Sequence, residues 1–372
     1  MTESVVRNLI LPDASPFEQG RVHGETWRDL CHELAEIRTH LTLIRPNWQF
    51  DGARDALRGV AAKHMPLLEA FDPDAAEELR GIAEGAAMPV EDVVLLNHYT
   101  DLRDIHADAR PETSDGLDLV SSDDGCTVVT APGDGRLLAQ TWDTHWSAHR
   151  FVSLLGIPAR GAAPAAWMYS ITGCVGMAGM NAAGVGVAIN NLLSNDARIG
   201  VVWPSLIRRM LRETTARAAF EVLRAAPIGS GHHYVVVDAD EALALETSGT
   251  RAAVLLDDPN RSYHHTNHCL NPHIAEVSRE SPTSTTRIRF GRMGESLAAA
   301  APTDLADLWR RLHDVSDPPK PGQEHGVATC GACATSVAAG ELWAVAGQPP
   351  EQTPTRCGFE NGAPVLLGLQ AS

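Results

Sequence analysis

The period of the apolar residues changes at Cys126, and that change limits the folds open to the chain. Upstream, apolar side chains recur at Trp27, Leu30, Leu34, Ile37, Leu41 and Ile44, in steps of three or four that mark one face of a helix. Ser15-Pro16 supplies a cap and a first-turn proline. Further helices are predicted from Ala53 to Phe71, with Pro66 as a break, from Ala75 to Ala87 behind Asp72-Pro73, and after Pro89. The polar stretch from Ala107 to Asp124 has no period and reads as an exposed loop. Downstream of Cys126, Thr127-Val128-Val129 and Leu137 to Trp142 flank Pro132-Gly133-Asp134-Gly135, the signal of a hairpin.

The rest of the chain mixes strands and helices. Strands are predicted at Trp167 to Ile171 and Gly184 to Ile189, a hairpin at His233 to Asp238 and Ala242 to Glu246, and a third strand at Arg251 to Leu256. Helices are predicted at Pro204 to Ala225, Thr286 to Ala299 and Thr303 to His313, and late strands at Ala328 to Ala338, Leu342 to Val345 and Val365 to Gly368. A helical leader followed by antiparallel hairpins and helices favours an α+β fold over a doubly wound sheet. The residues 1–372 are expected to share one core.

Composition narrows the class of function. With 44% hydrophobic and 21% charged residues, the chain is globular rather than disordered. Its net charge of −17 argues against nucleic acid and anionic membrane surfaces as partners. No apolar run reaches the length of a membrane span, and Met1 to Arg7 lacks the pattern of a secretory signal. Seven cysteines, an odd number, point to reduced thiols and so to a cytoplasmic location.

The chemistry centres on Ser121-Ser122-Asp123-Asp124-Gly125-Cys126, an acidic turn that ends at a strand. A thiol can attack the carbonyl just before it, and glycine obstructs that attack least. Cutting the Gly125–Cys126 bond leaves Cys126 with a free α-amine beside its thiol. The amine has a pKa of about 7.7 and a free thiol about 8.5, so near neutral pH the amine accepts the thiol proton. One residue then holds both nucleophile and base. The dipeptide alone is a weak signal, because a cysteine at a strand start is ordinarily a small buried hydrophobe.

Asp124-Gly125-Cys126-Thr127, Gln140-Thr141-Trp142-Asp143, the stretch from Gly176 to Val185, and His265-Thr266-Asn267-His268 together resemble the acyl-coenzyme A:6-aminopenicillanic acid acyltransferase family of autoproteolytic Ntn hydrolases. The resemblance runs from Gly20-Arg21-Val22-His23-Gly24 to Arg289. It implies a four-layer αββα sandwich of two packed, mostly antiparallel sheets. It also implies a precursor that cuts itself into a helical α-chain, 1–125, and a β-chain, 126–372, that begins with Cys126. Cys126 is then the nucleophile, Asn267 donates its side-chain N–H to the oxyanion, and Asp143 lies close to the new N-terminus. Thr127, Trp142, His145, His268 and Arg287 are expected as substrate-binding or supporting residues. Arg287 and Arg289, after Ser284, resemble a Ser-then-Arg pattern of the family.

Plainer readings stand beside these. Asp143 also suits a strand-end carboxylate, Asn267 a turn, and Trp142 core packing. His264, His265, His268 and Cys269 lie in one segment, but neighbours on a strand face opposite ways, so no metal and no cofactor is expected. Cys330-Gly331-Ala332-Cys333 lacks the second pair of a zinc site. Arg208-Arg209 reads as a solvated helix face. The expected function is a thiol amidohydrolase that cleaves a small N-acyl amine or N-acyl amino acid through a thioester. An acyltransferase moving an acyl group to an amine, from acyl-CoA or an amide, is the alternative. An uncleaved binding or redox protein using the CxxC is a further one. The expected partners are the small acyl amide and the two fragments of the chain itself. The sequence does not separate a monomer from a homo-oligomer.

Overall fold

The helical leader is not a unit apart from the strands, because its first residues already belong to a sheet. The computed structural model describes residues 6–44, 48–105, 125–258, 260–281, 283–317, 326–349 and 353–368. The expected loop from Ala107 to Asp124, with its acidic turn, lies outside them. β1 (Arg7–Ile10) pairs in parallel with β4 (Val152–Ile157). It thereby opens an eight-stranded sheet that continues through β5 (Ala166–Ile171), β6 (Ala178–Asn181), β7 (Gly186–Asn191), β9 (His232–Val237), β10 (Ala242–Thr247) and β11 (Ala252–Asp257). A seven-stranded sheet runs β12 (Tyr263–His265), β2 (Gly125–Ala131), β3 (Leu137–His145), β14 (Val327–Ser336), β15 (Glu341–Ala346), β16 (Thr355–Glu360) and β17 (Ala363–Leu367). A short pair, β8 (Leu193–Ser194) with β13 (Ser278–Arg279), stands beside them. Apart from β1–β4, the strand pairs among the described residues are antiparallel.

Alternation along β2 and β3 sets how the layers stack. Val128 and Leu138 pack against Ala188, Val235 and Val237 of the first sheet. Their neighbours Val129, Leu137 and Ala139 pack on the opposite face, against Met293 of α10 (Thr286–Ala299) and Leu308 and Trp309 of α11 (Leu305–Arg311). The first sheet shares one apolar cluster with the leader helices α2 (Arg28–Leu43), α3 (Ala53–Ala62), α4 (His64–Phe71), α5 (Pro73–Ala86) and α6 (Val90–Asp104), and α1 (Pro16–Thr26) packs on α5. α7 (Trp203–Met210) and α8 (Ala216–Ala225) belong to that cluster too, and the four-residue α9 (Pro272–Ala275) contacts β11 and β13. The order is helix, sheet, sheet, helix, the four layers expected.

Local chemistry corrects several boundaries. The helix expected from Ser15 to Ile44 is two, parted at Trp27. The helix from Ala53 to Phe71 breaks after Ala62 and not at Pro66. Pro66 sits in the first turn of α4, where a backbone N–H has no intrahelical acceptor to lose. The helix from Pro204 to Ala225 is also two, because Thr215 caps α8 by accepting a hydrogen bond from Ala218 N. β1, β4, β6, β8, β13 and β16 have no counterpart among the predicted strands. Arg208 is not solvated: it is buried, and its Nε lies 3.2 Å from Glu78 Oε2 on α5. Cys330 and Cys333 are both buried in β14.

Glycines set the closest helix contact. Gly20 and Gly24 of α1 meet Gly81 and Gly85 of α5, one turn apart on each helix. A Cβ on Gly81 would stand 2.0 Å from Phe17 O, and one on Gly20 would stand 2.0 Å from Glu78 O. No backbone shift short of separating the helices relieves such contacts. Gly81→Ala is therefore expected to destabilise the protein by about 1–3 kcal/mol, measured as a lowered urea midpoint.

Candidate active site

The ladder between β12 and β2 pairs Tyr263 with Thr130, His264 with Val129 and His265 with Val128, and stops there. Cys126 lies just beyond its end, so side chains take up its backbone groups. Cys126 N donates to Asn267 Oδ1 at 2.7 Å. Cys126 O accepts from Asn190 Nδ2 at 2.9 Å and from Arg289 Nη1 at 2.8 Å. On the other edge of β2, Gly125 stands opposite Asp143 and Cys126 opposite Trp142.

Arg289, on α10 and only 2% exposed, joins these groups. Besides Cys126 O, its Nη1 donates to Thr127 Oγ1 at 3.0 Å, its Nη2 to Asn267 Oδ1 at 3.0 Å, and its Nε to Thr285 Oγ1 at 3.0 Å. Its Nη1 also lies 3.6 Å from Asp143 Oδ2. Asp143 Oδ1 accepts from Thr329 Oγ1 at 2.7 Å. Gly125 is wedged into this cluster: a Cβ there would stand 2.7 Å from Asp143 Oδ2 and 2.8 Å from Arg289 Nη2. Glycine at this position admits the carboxylate and the guanidinium together.

Asn267 is turned so that its amide oxygen, rather than its nitrogen, meets Cys126. Two obligate donors converge on Oδ1, while Nδ2 donates to Asn191 O at 2.9 Å, which assigns the amide. Below Cys126 runs a buried polar chain. Asn190 Nδ2 faces the Cys126 carbonyl, so Asn190 Oδ1 must accept from His233 Nδ1, at 2.7 Å. His233 Nε2 then accepts from Tyr263 OH at 2.9 Å. Burial, with the neighbouring His265, holds His233 well below the usual histidine range, consistent with the neutral ring this chain requires. Glu246 anchors the segment that carries Asn267, accepting from Leu270 N, Asn271 N and His265 Nε2.

Cys126 lines a narrow, partly open cleft. Trp142, Met177, Ile189 and Trp203 give it apolar walls, and Gln140 Nε2 lies 4.0 Å from Cys126 Sγ. Gln140 is held by Ile189 N, which donates to its Oε1 at 2.9 Å. One wall belongs to the leader: Arg38 of α2 and Asn97, Tyr99 and Thr100 of α6.

Gly125, Cys126, Thr127, Trp142, Asp143 and Asn267 therefore meet. Three expected supporting residues do not join them. Arg287 is exposed and pairs with Glu280 at 2.8 Å, while Arg289 occupies the site. Two residues along a helix are about 200° of rotation apart, so when one faces the sheet the other faces away. His145 bonds to Ser147 Oγ at 2.7 Å and does not line the cleft. His268 bonds to Thr266 and Thr286, and burial, then the charges of Arg287 and His265, push it down to about 4. Sequence reasoning assigned no role to Gln140, Asn190 or Asn191. Gln140 was open to inference, since it lies two residues before Trp142 on the strand facing Cys126. Among the described residues no group of three or more His, Cys, Asp and Glu is placed to hold a metal ion, and no helix is long and apolar enough to cross a membrane.

Fold and site together suit an enzyme that works on amide or thioester bonds. The chain belongs to the family described as acyl-coenzyme A:6-aminopenicillanic acid acyl-transferase, whose profile matches residues 130–349. It is 30% identical over 301 residues to the 40 kDa form of acyl-coenzyme A:6-aminopenicillanic-acid-acyltransferase from Emericella nidulans, covering 80% of this chain and 74% of that one. Among solved structures, a mutant conjugated bile acid hydrolase from Clostridium perfringens matches with a TM-score of 0.48 at 14% identity, over 65% of this chain and 96% of that one. Penicillin V acylase from Agrobacterium tumefaciens matches with a TM-score of 0.38 at 13% identity, over 62% and 84%.

The two arginines separate a buried hub from a surface pair. Arg289→Leu is expected to destabilise the protein by about 3–5 kcal/mol, since it strands buried acceptors. Arg287→Ala is expected to change stability by no more than about 0.5 kcal/mol. Denaturant unfolding of both variants measures the contrast.

Proposed function

We propose that the protein cuts its own Gly125–Cys126 bond and then acts as an N-terminal cysteine amidohydrolase on a small N-acyl amine or N-acyl amino acid. The observation that carries this reading is the placement of Cys126. Its side chain faces a cleft, and its backbone nitrogen is held by Asn267 Oδ1 at the start of a strand.

In self-cleavage, Cys126 Sγ attacks the Gly125 carbonyl carbon. The C–N bond breaks as the thioester forms, the nitrogen leaves as the α-amine, and water releases the Gly125 carboxylate. In turnover, the α-amine takes the thiol proton and Sγ attacks the substrate carbonyl. The tetrahedral oxyanion collapses, the amine departs with a proton, and water cleaves the thioester to the acid. Asn267 holds the α-amine through Oδ1, and its second Nδ2 hydrogen serves the oxyanion. Gln140 Nε2 supports the developing thiolate. Asp143, beside Gly125, places the new terminus through Arg289. The fragments 1–125 and 126–372 stay together, because β1, α2 and α6 are packed into the body.

Acyl transfer to an amine acceptor is the second reading, favoured by the activity for which the Emericella nidulans relative is named. It shares the thioester and differs in what attacks it. A reducing, cytoplasmic setting belongs to the same proposal, since Cys126 must remain a thiol.

Intact mass of the purified protein is expected to give two fragments, Met1–Gly125 and Cys126–Ser372, and Cys126→Ala a single inactive chain. An active wild-type protein that stays in one piece would refute self-cleavage. Incubation with N-acyl amines and acyl-CoAs, with and without amine acceptors, separates the two activities. Free acid released whatever the acceptor marks a hydrolase, and product formed only with acceptor marks a transferase.

A further inference from the structure

Beside α8, the first sheet carries a second recess, one strand away from the cleft. His232 lines the cleft, and its partner across the ladder, Thr247 of β10, lines the recess. Neighbouring strands lie about 4.8 Å apart, and residues directly opposite in an antiparallel pair share a face, so the two hollows adjoin. Three arginines rim the recess: Arg198, Arg224 of α8 and Arg251 just before β11. No acidic side chain lines it among the described residues, although the chain holds 47 acidic residues against 30 Lys and Arg. Asp196 is spent on the loop 248–250, accepting from Ser248 Oγ, Gly249 N, Thr250 N and Thr250 Oγ1. Arg198 is exposed, and its side chain makes no hydrogen bond or ion pair among the described residues. Arg224 reaches Glu221 through Nη1 at 3.2 Å, and Arg251 reaches Glu276 through Nη1 at 2.7 Å. Both glutamates are exposed, and ion pairs in water hold weakly. Leu223, Leu245 and Val254 give the recess an apolar floor. Three cations in one hollow exceed what a single carboxylate offsets. A phosphate group carries up to two charges and three acceptor oxygens, which guanidinium forks match bidentately.

We propose that this recess binds a phosphate ester, and that it holds the phosphate end of an acyl-coenzyme A donor whose acyl group reaches the cleft of Cys126. This rests on the acyl-transfer reading given above and supplies that reading with a phosphate site. The part of the recess is binding alone, since its arginines touch no reacting atom.

Calorimetric titration of the purified protein with desulfo-coenzyme A, which has no thiol to react, tests the recess. Binding is expected, and pantetheine, which lacks the phosphates, is expected to bind about tenfold more weakly or worse. Arg198→Glu and Arg251→Gln are each expected to weaken desulfo-coenzyme A about tenfold or more. Arg310→Glu, a charge reversal at an exposed side chain of α11 in the opposite helix layer, is expected to leave binding unchanged. Unchanged urea midpoints check that the variants keep their fold. No binding, equal binding of the two probes, or equal weakening by Arg310→Glu and Arg198→Glu overturns the proposal. Labelling of Cys126 by iodoacetamide then tests the link to the cleft. Desulfo-coenzyme A is expected to slow labelling in the wild-type protein and not in Arg198→Glu, and adenosine 3′,5′-bisphosphate to bind without slowing it. Binding that depends on Arg198 but never protects Cys126 overturns the link and makes the recess a site for a free phosphate ester. None of these measurements needs turnover, so a failure of acyl transfer leaves their outcome standing.

Discussion

A buried guanidinium holds the site together. Arg289 is almost wholly out of water, and a cation there is tolerated only when acceptors surround it. Its acceptors come from the start of β2, the end of β3, the turn at Asn267 and Thr285 just before α10, and Asp317 Oδ2 lies 3.8 Å from its Nε. Satisfying one side chain therefore brings together the Gly125–Cys126 peptide, the carboxylate beside it and the amide that grips the Cys126 nitrogen. The second support is neutral: Tyr263, His233 and Asn190 pass hydrogen bonds in one direction to the Cys126 carbonyl. Removing the first support strands a charge, whereas removing the second strands a dipole, and the former is the larger cost.

The leader and the body form one packed structure across the Gly125–Cys126 boundary. β1 completes the first sheet, α1 and α5 meet through glycines, and Arg208 of α7 pairs with Glu78 of α5. α2 and α6 reach into the cleft itself. The proposed cut at Cys126 therefore falls at a point where the packing is continuous. The kink of α6 at His98 belongs to the same construction. It frees a carbonyl for Arg38 and lays Asn97, Tyr99 and Thr100 along the wall.

How much of this was legible in the sequence varies with the kind of signal. Period and turn chemistry mark most helices and hairpins, because amphipathic faces follow local geometry. They miss β1, whose pairing partner lies far off in sequence, and they also miss β16, which pairs with its chain neighbours β15 and β17. They misplace the break near Pro66, since a proline in a first turn costs a helix nothing. Cys126, Asp143 and Asn267 stand out through their motifs, and the structure brings them together. The glycine pairs of α1 and α5 were visible as spacing, yet only the contact between the two helices gives that spacing a meaning.

The sequence by itself determined the chemistry on offer: a thiol after a glycine, a strand to present it, and amide and carboxylate groups at later strand ends. These follow from residue type and local period. Tertiary structure decided which groups meet that thiol. It chose Arg289 over Arg287, because the helix can turn only one of them toward the sheet. It gave the Asn267 oxygen to the Cys126 nitrogen, because an arginine approaches from the same side. It brought Arg38 from the leader to the cleft, although 88 residues of chain separate it from Cys126. Contacts of that range are selected by how buried charges and faces are satisfied in three dimensions, and local sequence carries no record of them.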